Sequence, residues 1–313
     1  MKNILLSQAL HQQAMDMLRQ KYNVLMPEKN DQQAFEALLP EADGLILRVN
    51  VELTEAALRT AHKLKIISRT GVGLNNVPLQ TARELGIIVT NTPDANSISV
   101  GEHAVALMLS LAKFLPEYDR ELRTGGWDIR HSCKPFELYG KTVGIIGLGR
   151  SGRVAASILH DGFQMRILAY GPSLDPAKHP EYDIAASLEE VFERSDIVSL
   201  HCPSTSATRG MVNAALLSKA KPGLMFINCS RGDVVVEGAL IAALQSGKVA
   251  SAGLDVFEDE PVSLDNLLLS MDNVVLTPHS AALTQEASVR MFVTAVEQID
   301  ACFSGQEPKH IVR

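Results

Sequence analysis

Residues 141–152 read KTVGIIGLGRSG, and this stretch decides how the rest of the chain is understood. Positions 143–146 form an uninterrupted apolar run, the pattern of a parallel strand buried on both faces. The run leads straight into Gly147, Gly149 and Gly152. Glycines at this spacing make a tight turn that lets backbone amides approach a pyrophosphate at the start of the next helix. A glycine triplet alone would serve equally as a structural turn, so its surroundings matter. Here a helix-forming stretch, 153–159, follows at once, and a second apolar run comes at 165–169. Strand, turn, helix and strand in that order predict a βαβ unit that binds a dinucleotide.

Outward from this unit the alternation continues in both directions. Apolar runs at 197–200, 225–228, 252–255 and 274–276 predict the remaining strands of one parallel sheet. Upstream, short runs at 4–6, 44–47, 65–67 and 87–89 alternate with helix-like stretches such as 8–19, predicting a second α/β sheet without dinucleotide glycines. Between the halves, residues 96–114 read as a long helix, apolar over most of its circumference after Val100 and therefore buried between packed layers. A loop-rich stretch, 124–139, carries the single tryptophan, Trp127. Residues 284–303 place Ala287, Met291, Val293, Val296 and Ile299 at near-helical spacing, predicting an amphipathic helix that returns to the first half.

The bulk properties narrow the function classes. A chain of 313 residues has room for two domains, and a net charge of -7 argues against nucleic acid or an acidic membrane surface as partner. Small molecules are the expected partners. Cys133, Cys202, Cys229 and Cys302 form no CxxC pair, so neither a disulfide framework nor a zinc ribbon is expected, which suits a reducing cytoplasm. The N-terminal apolar run is only Ile4, Leu5 and Leu6, too short for a signal sequence or a membrane span, so the chain is expected to be soluble. No solenoid-type repeat and no low-complexity tract is visible.

In open α/β sheets ligands bind beyond the carboxyl ends of the strands. Three such ends in the second half carry chemistry: MFIN leads to Cys229, Ser230 and Arg231; LDVF leads to Glu258, Asp259 and Glu260; VVLTP leads to His279. Singly, each has a plain alternative as a surface charge, an acidic loop residue or a turn histidine. Together an arginine, a carboxylate and a histidine at neighbouring strand ends point to one cleft.

At this point the chain resembles the D-2-hydroxyacid dehydrogenases, with the phosphoglycerate dehydrogenase type nearest. The resemblance runs over nearly the whole length through GVG (71–73), ARELGIIVTNTPDANSISVGEH (82–103), ELYGKTVGIIGLGRSGR (137–153), SLHCP (199–203), NCSRGDVV (228–235), LDVFEDEP (254–261) and TPH (277–279). It implies an α/β fold of two doubly wound parallel-sheet domains, with a Rossmann dinucleotide-binding domain (99–283) inserted in a flavodoxin-like substrate or catalytic domain (1–98 and 284–313). It also implies a nicotinamide-dependent oxidoreductase acting on a small 2-keto or D-2-hydroxy acid. By resemblance the catalytic trio is Arg231, Glu260 and His279. Hydride transfer to a keto acid leaves negative charge on the carbonyl oxygen, so a proton donor and a cation beside it stabilise the transition state. His279 is the expected donor, Glu260 favours its charged form and orients the ring, and Arg231 forks onto the substrate carboxylate and carbonyl. The amides of Val72 and Gly73 match those that bind the substrate carboxylate in the family.

For the cofactor, Gly147, Gly149, Arg150, Ser151 and Gly152 are expected at the pyrophosphate. Asp255 and the backbone near Cys229 match the nicotinamide grip, and His201 and Pro203 match the segment along the adenosine. An acidic residue is expected at the end of the second strand to hold the ribose hydroxyls, yet Gly171 stands there. With neither a carboxylate nor an adjacent arginine, and with Ser173 able to donate to either form, NAD and NADP are both expected to be used. Asn75, Pro78 and Gly101 also depart from the family pattern, which is expected to alter the mouth of the substrate cleft. Arg48 and Arg69 stand at or near strand ends of the first half, where two cations would receive a second anionic group on the substrate, such as phosphate, sulfonate or carboxylate; two solvated surface arginines are the alternative. The sequence stops at Arg313, so no C-terminal regulatory domain and no feedback through one are expected. No metal site is expected, and a homodimer through the long helix is. Two other readings compete: a dinucleotide-sensing corepressor, and a formate or phosphite dehydrogenase.

Overall fold

The computed structural model describes residues 1–28 and 31–312. The chain divides into two compact units, Met1–Asn96 together with Leu283–Arg313, and Ser97–Ala282. The first unit opens with β1 (Asn3–Leu6), α1 (Gln12–Arg19), β2 (Asn23–Leu25), α2 (Gln32–Leu38), β3 (Gly44–Leu47), α3 (Glu55–Thr60), β4 (Ile66–Arg69), α4 (Leu79–Glu84) and β5 (Ile88–Thr90). Its sheet is parallel throughout, in the order β2-β1-β3-β4-β5, the doubly wound order of flavodoxin-like folds. The helix expected over 8–19 starts only at Gln12, because Ser7 is bound to Asn50 and His11 caps the first turn through its ring nitrogen. β2 escapes the apolar-run criterion because it is a short edge strand with no fully buried residue.

The second unit contains α5 (Ser97–Lys113), α6 (Leu115–Arg123), β6 (Thr142–Ile146), α7 (Arg150–Ser157), β7 (Arg166–Tyr170), β8 (Asp183–Ile184), α8 (Leu188–Arg194), β9 (Ile197–Leu200), α9 (Ala214–Lys219), β10 (Leu224–Asn228), α10 (Glu237–Gln245), β11 (Val249–Leu254) and β12 (Val274–Leu276). The parallel order β12-β11-β10-β9-β6-β7-β8 is that of a Rossmann sheet. The chain runs outward from β6 to β8, then returns to β9 on the other side of β6, which puts the switch point beside the glycine turn. Alternating residues sort to the two faces. Val143, Ile145, Met225 and Ile227 pack with Ala104, Leu107 and Leu111 of α5 and Ala156 of α7. Ile146, Leu224 and Phe226 pack with Val191, Leu216 and Leu240 of α8, α9 and α10.

The long helix ends at Lys113, within one residue of the expected Phe114. Phe114 takes a left-handed backbone (φ 54°) and Pro116 follows, so a separate α6 starts with Leu115 and Leu122 exposed. Among the described residues no single helix is long and apolar enough to cross a membrane; α5 and α6 meet that test only as a pair, bent by 58°. The last helix, α11 (Gln285–Phe303), is capped by Thr284, whose hydroxyl accepts from the Ala287 amide at 3.1 Å. It belongs to the first unit, where Val296 and Ile299 join Ala14 and Leu18 of α1 over Ile4, Leu6, Ile46 and Ile66. Burying each such large side chain contributes about 1.5–3 kcal/mol. Leu5, Leu45, Leu47 and Ile67 face Phe35, Leu58 and Ala82 of α2 to α4 on the opposite side of that sheet.

Candidate active site

The glycine turn joins β6 to α7. Gly147 has φ 96°, a conformation open to glycine, and its amide donates to the Tyr170 carbonyl of β7 at 2.8 Å. A methyl group on Gly152 would overlap the carbonyl oxygen of Gly147 and come within 3.2 Å of the His201 Cβ, so this glycine lets α7 start against the strand. Gly149 is the N-cap of α7, and a methyl there would meet no atom within 4 Å. Arg150 and Ser151 form the first turn of the helix. The helix N-terminus thus presents amides to open space, the arrangement that receives a pyrophosphate. His201 follows β9 beside this turn. Its Nε2 lies 2.9 Å from the Ser199 hydroxyl, while its buried Nδ1 has no partner among the described residues, and burial holds the ring neutral down to about pH 4. An open cradle over Gly149 and an orphaned buried nitrogen beside it fit a dinucleotide. Pro203 is exposed, and Cys202 is buried with its thiol pushed up to about 11 by desolvation. Gly171 follows β7, and a methyl added to it would stand 3.2 Å from the Leu174 side chain, its nearest obstacle.

The trio sits at the carboxyl ends of β10, β11 and β12. His279 Nδ1 lies 2.6 Å from Glu260 Oε2, and the second carboxylate oxygen of Glu260 accepts from the Phe257 amide at 3.1 Å. Burial works against ionisation of Glu260, yet these two bonds and the charge of Arg231 outweigh it and hold the carboxyl below its ordinary range. Arg231 is extended and half-buried; its carbonyl accepts from Asn228 Nδ2 at 3.0 Å, and its guanidinium donates to the Ser230 carbonyl at 2.6 Å. His279 and Glu260 retain 46% and 35% side-chain exposure, so the pair is open to a substrate while still joined. Asp255 is 1% exposed, and Cys229 is packed in the core with its thiol pushed up by burial.

In the first unit, Gly71 has φ 99° and its amide donates to the Thr92 hydroxyl at 2.6 Å, which leaves Val72 and Gly73 on an outward turn. Neither nearby arginine is a solvated surface residue. Arg69 is 8% exposed, donates to the Thr70 carbonyl and lies against the Cα of Gly71. Arg48 lies over the Phe292 ring at 5.0 Å, donates to the Ala9 carbonyl at 3.2 Å, and has its pKa lowered by burial. One expectation is corrected. Gly101 is not at a cleft mouth: it lies in α5 where Val154 of α7 presses in, 2.5 Å from where a methyl would stand.

Sequence reasoning gave no role to four residues that build the site. Gly232 lets the loop after β10 pack directly on the backbone of the loop after β11, because a methyl there would overlap the Phe257 carbonyl. Asn228 shapes the turn before Arg231, its Oδ1 accepting from both the amide and the hydroxyl of Ser230. Thr277 and His103 contact Asp255. All four stand inside the quoted motifs, so the signal was present without an assignment.

Comparison with known proteins decides the family. The model of the D-isomer specific 2-hydroxyacid dehydrogenase NAD binding domain matches residues 105–281. The chain belongs to this family. Over the whole of its length it is 37% identical to D-3-phosphoglycerate dehydrogenase of Methanocaldococcus jannaschii, of which it spans 59%, little more than half. It is 41% identical to hydroxypyruvate reductase of Thermotoga maritima across 84% of this chain and 85% of that one. Among solved structures, NADPH-dependent glyoxylate/hydroxypyruvate reductase from Sinorhizobium meliloti superposes with a TM-score of 0.89 at 31% identity, covering 100% of this D-2-hydroxyacid dehydrogenase family member and 98% of that chain.

Proposed function

We propose that this protein is a nicotinamide-dependent oxidoreductase that interconverts a small 2-keto acid and the corresponding D-2-hydroxy acid. The observation that carries this reading is the His279–Glu260 pair, joined at 2.6 Å and lying within the field of Arg231. Gly147, Gly149, Arg150, Ser151 and Gly152 would hold a nicotinamide dinucleotide, which would supply or accept the hydride. His279 gives a proton to the carbonyl oxygen during reduction and takes it back during oxidation. Glu260 holds the ring by Nδ1, which leaves Nε2 as the atom facing substrate, and its charge stabilises the imidazolium. Arg231 pairs with the substrate carboxylate and draws charge from the carbonyl. We assign the amides of Val72 and Gly73 to the substrate carboxylate, and Arg48 and Arg69 to a polar or second anionic group.

Glyoxylate, hydroxypyruvate and phosphohydroxypyruvate are the substrates to try first. The names of the relatives, the buried Arg69 and the partly buried Arg48 support that choice. We propose use of both NADH and NADPH, because Gly171 offers neither a carboxylate to the ribose nor a repulsion to a 2′-phosphate. The S. meliloti relative, solved also with NADP and malonate, supports the NADP side. A homodimer is proposed through α5, α6 and the turn after them, where Leu115, Leu122 and Trp127 are exposed. The free state of all four cysteines suits a reducing cytoplasm.

A spectrophotometric panel of both reduced cofactors against glyoxylate, hydroxypyruvate, phosphohydroxypyruvate and sulfopyruvate tests the reading. Turnover of at least one keto acid is expected. Turnover of none, with release of carbon dioxide from formate or phosphate from phosphite, would replace the reading. The two directions should respond oppositely to pH: reduction slows and oxidation quickens as pH rises. Parallel profiles would contradict the role of His279. A strong preference for NADH over NADPH would refute the use of both.

A further inference from the structure

We infer that His103 and Thr277 are positioning residues for His279, acting on it through the buried carboxylate of Asp255; this rests on the reading of His279 as the proton donor. His279 has φ 50°, a left-handed conformation that a residue with a Cβ keeps only where its surroundings impose it. Its amide donates to the Asp255 carbonyl at 2.8 Å and to the Thr277 carbonyl at 3.0 Å. The next two amides bind the Asp255 side chain, Ser280 to Oδ1 at 2.8 Å and Ala281 to Oδ2 at 3.0 Å. The Thr277 hydroxyl donates to Oδ1 at 2.6 Å. One carboxylate therefore ties down the residues on both sides of His279. The Ser280 hydroxyl adds a fourth, longer bond to Oδ1 at 3.5 Å.

The direction of the remaining contact follows from proton counting. A hydroxyl has one proton, and Thr277 gives it to Asp255. Toward His103 Nε2, 2.9 Å away, Thr277 can only accept, so the proton of that imidazole is on Nε2. The same nitrogen is 3.5 Å from Asp255 Oδ1. His103 projects from α5, whose neighbouring residues Gly101, Ala104 and Val105 are buried against the unit. The chain of bonds thus runs from a rigid helix through His103, Thr277 and Asp255 to the loop of His279. Asp255 is thereby a support of the proton donor.

The test compares His103→Leu and Thr277→Val, which delete the two links, with His103→Gln, whose amide nitrogen can stand in for Nε2, and Thr277→Ser, which keeps the hydroxyl. His103 has 24% side-chain exposure, so its variants are expected to fold. His103→Leu and Thr277→Val should each lower kcat for keto-acid reduction by about 10-fold or more, with dinucleotide Kd within about twofold of the parent. His103→Gln and Thr277→Ser should recover most of that loss. The double variant H103L/T277V should be no slower than the slower single one, since both cut one chain. Parental kcat in both deletions, losses that multiply in the double variant, or a His103→Gln as slow as His103→Leu would overturn the inference. A loss that appears equally in dinucleotide affinity and melting temperature would overturn it too, because a packing defect behaves that way. His279→Gln is measured alongside. If it still turns over, the reading of His279 falls; if it is inactive while the deletions match the parent, only the positioning inference falls.

Discussion

Replacing Gly232 by alanine should separate the two halves of the active site without touching any of its side chains. The added methyl would overlap the Phe257 carbonyl and stand 2.6 Å from the Glu258 nitrogen, where real Cβ contacts below 3.0 Å are essentially never seen. Both neighbours are backbone, so no flexible side chain can turn aside. The loop carrying Arg231 must retreat from the loop carrying Glu260 by roughly 1 Å, a misplacement that costs about 100-fold in rate. That corresponds to about 2.7 kcal/mol of lost transition-state stabilisation. The strain itself should cost about 1–3 kcal/mol of stability. For a protein of this size each kcal/mol lowers Tm by roughly 1.5 °C. Gly238 provides the control: it lies in α10, six residues along the same segment, and a methyl there meets nothing within 4 Å. Gly238→Ala should leave the rate unchanged and raise stability by up to about 1 kcal/mol. The assays are steady-state reduction of the best keto acid, dinucleotide affinity by titration, and thermal melting. A Gly232→Ala enzyme with kcat/KM within about threefold of the parent and an unchanged Tm would refute the reasoning, because the loops would then have room that the backbone distances deny.

Arg231→Lys should raise KM for the keto acid and lower kcat, since a single ammonium cannot fork onto carboxylate and carbonyl together, while dinucleotide affinity stays within about twofold. Loss of dinucleotide binding alone would contradict that role. The buried His201 gives a signed pH effect. Its ring takes a proton near 6.5 when unfolded but only near 4 when folded, so stability is constant above about pH 6.5 and falls as pH drops toward 4. The gap between those values is worth about 3 kcal/mol. Denaturant titrations of the parent and His201→Gln across that range should diverge in slope, and parallel lines would count against it. Gly171→Asp should move cofactor preference toward NADH by about 10-fold or more, through a charge-assisted bond to a ribose hydroxyl and repulsion of a 2′-phosphate. An unchanged ratio would mean that the end of β7 does not meet the ribose.

What residues 141–152 determined was local: a buried run, glycines at fixed spacing and a helix start are written within a dozen neighbours, because turn sterics and side-chain periodicity act over that distance. The Rossmann unit and the alternation of both sheets were legible for that reason. Short edge strands such as Asn23–Leu25 and Asp183–Ile184 were not, since an edge strand half in water shows no apolar run. The end of the long helix near Phe114 was legible too, but the separate helix after it, which has no buried residue, was not. Only the tertiary structure joined Glu260 to His279, nineteen residues apart, because that contact depends on β11 and β12 lying side by side. The same holds for Val154 against Gly101, for Phe257 against Gly232, and for the bonds that gather around Asp255. Each of these is a contact between segments whose distance is set by sheet order, a property of the assembled chain that no short stretch of residues contains.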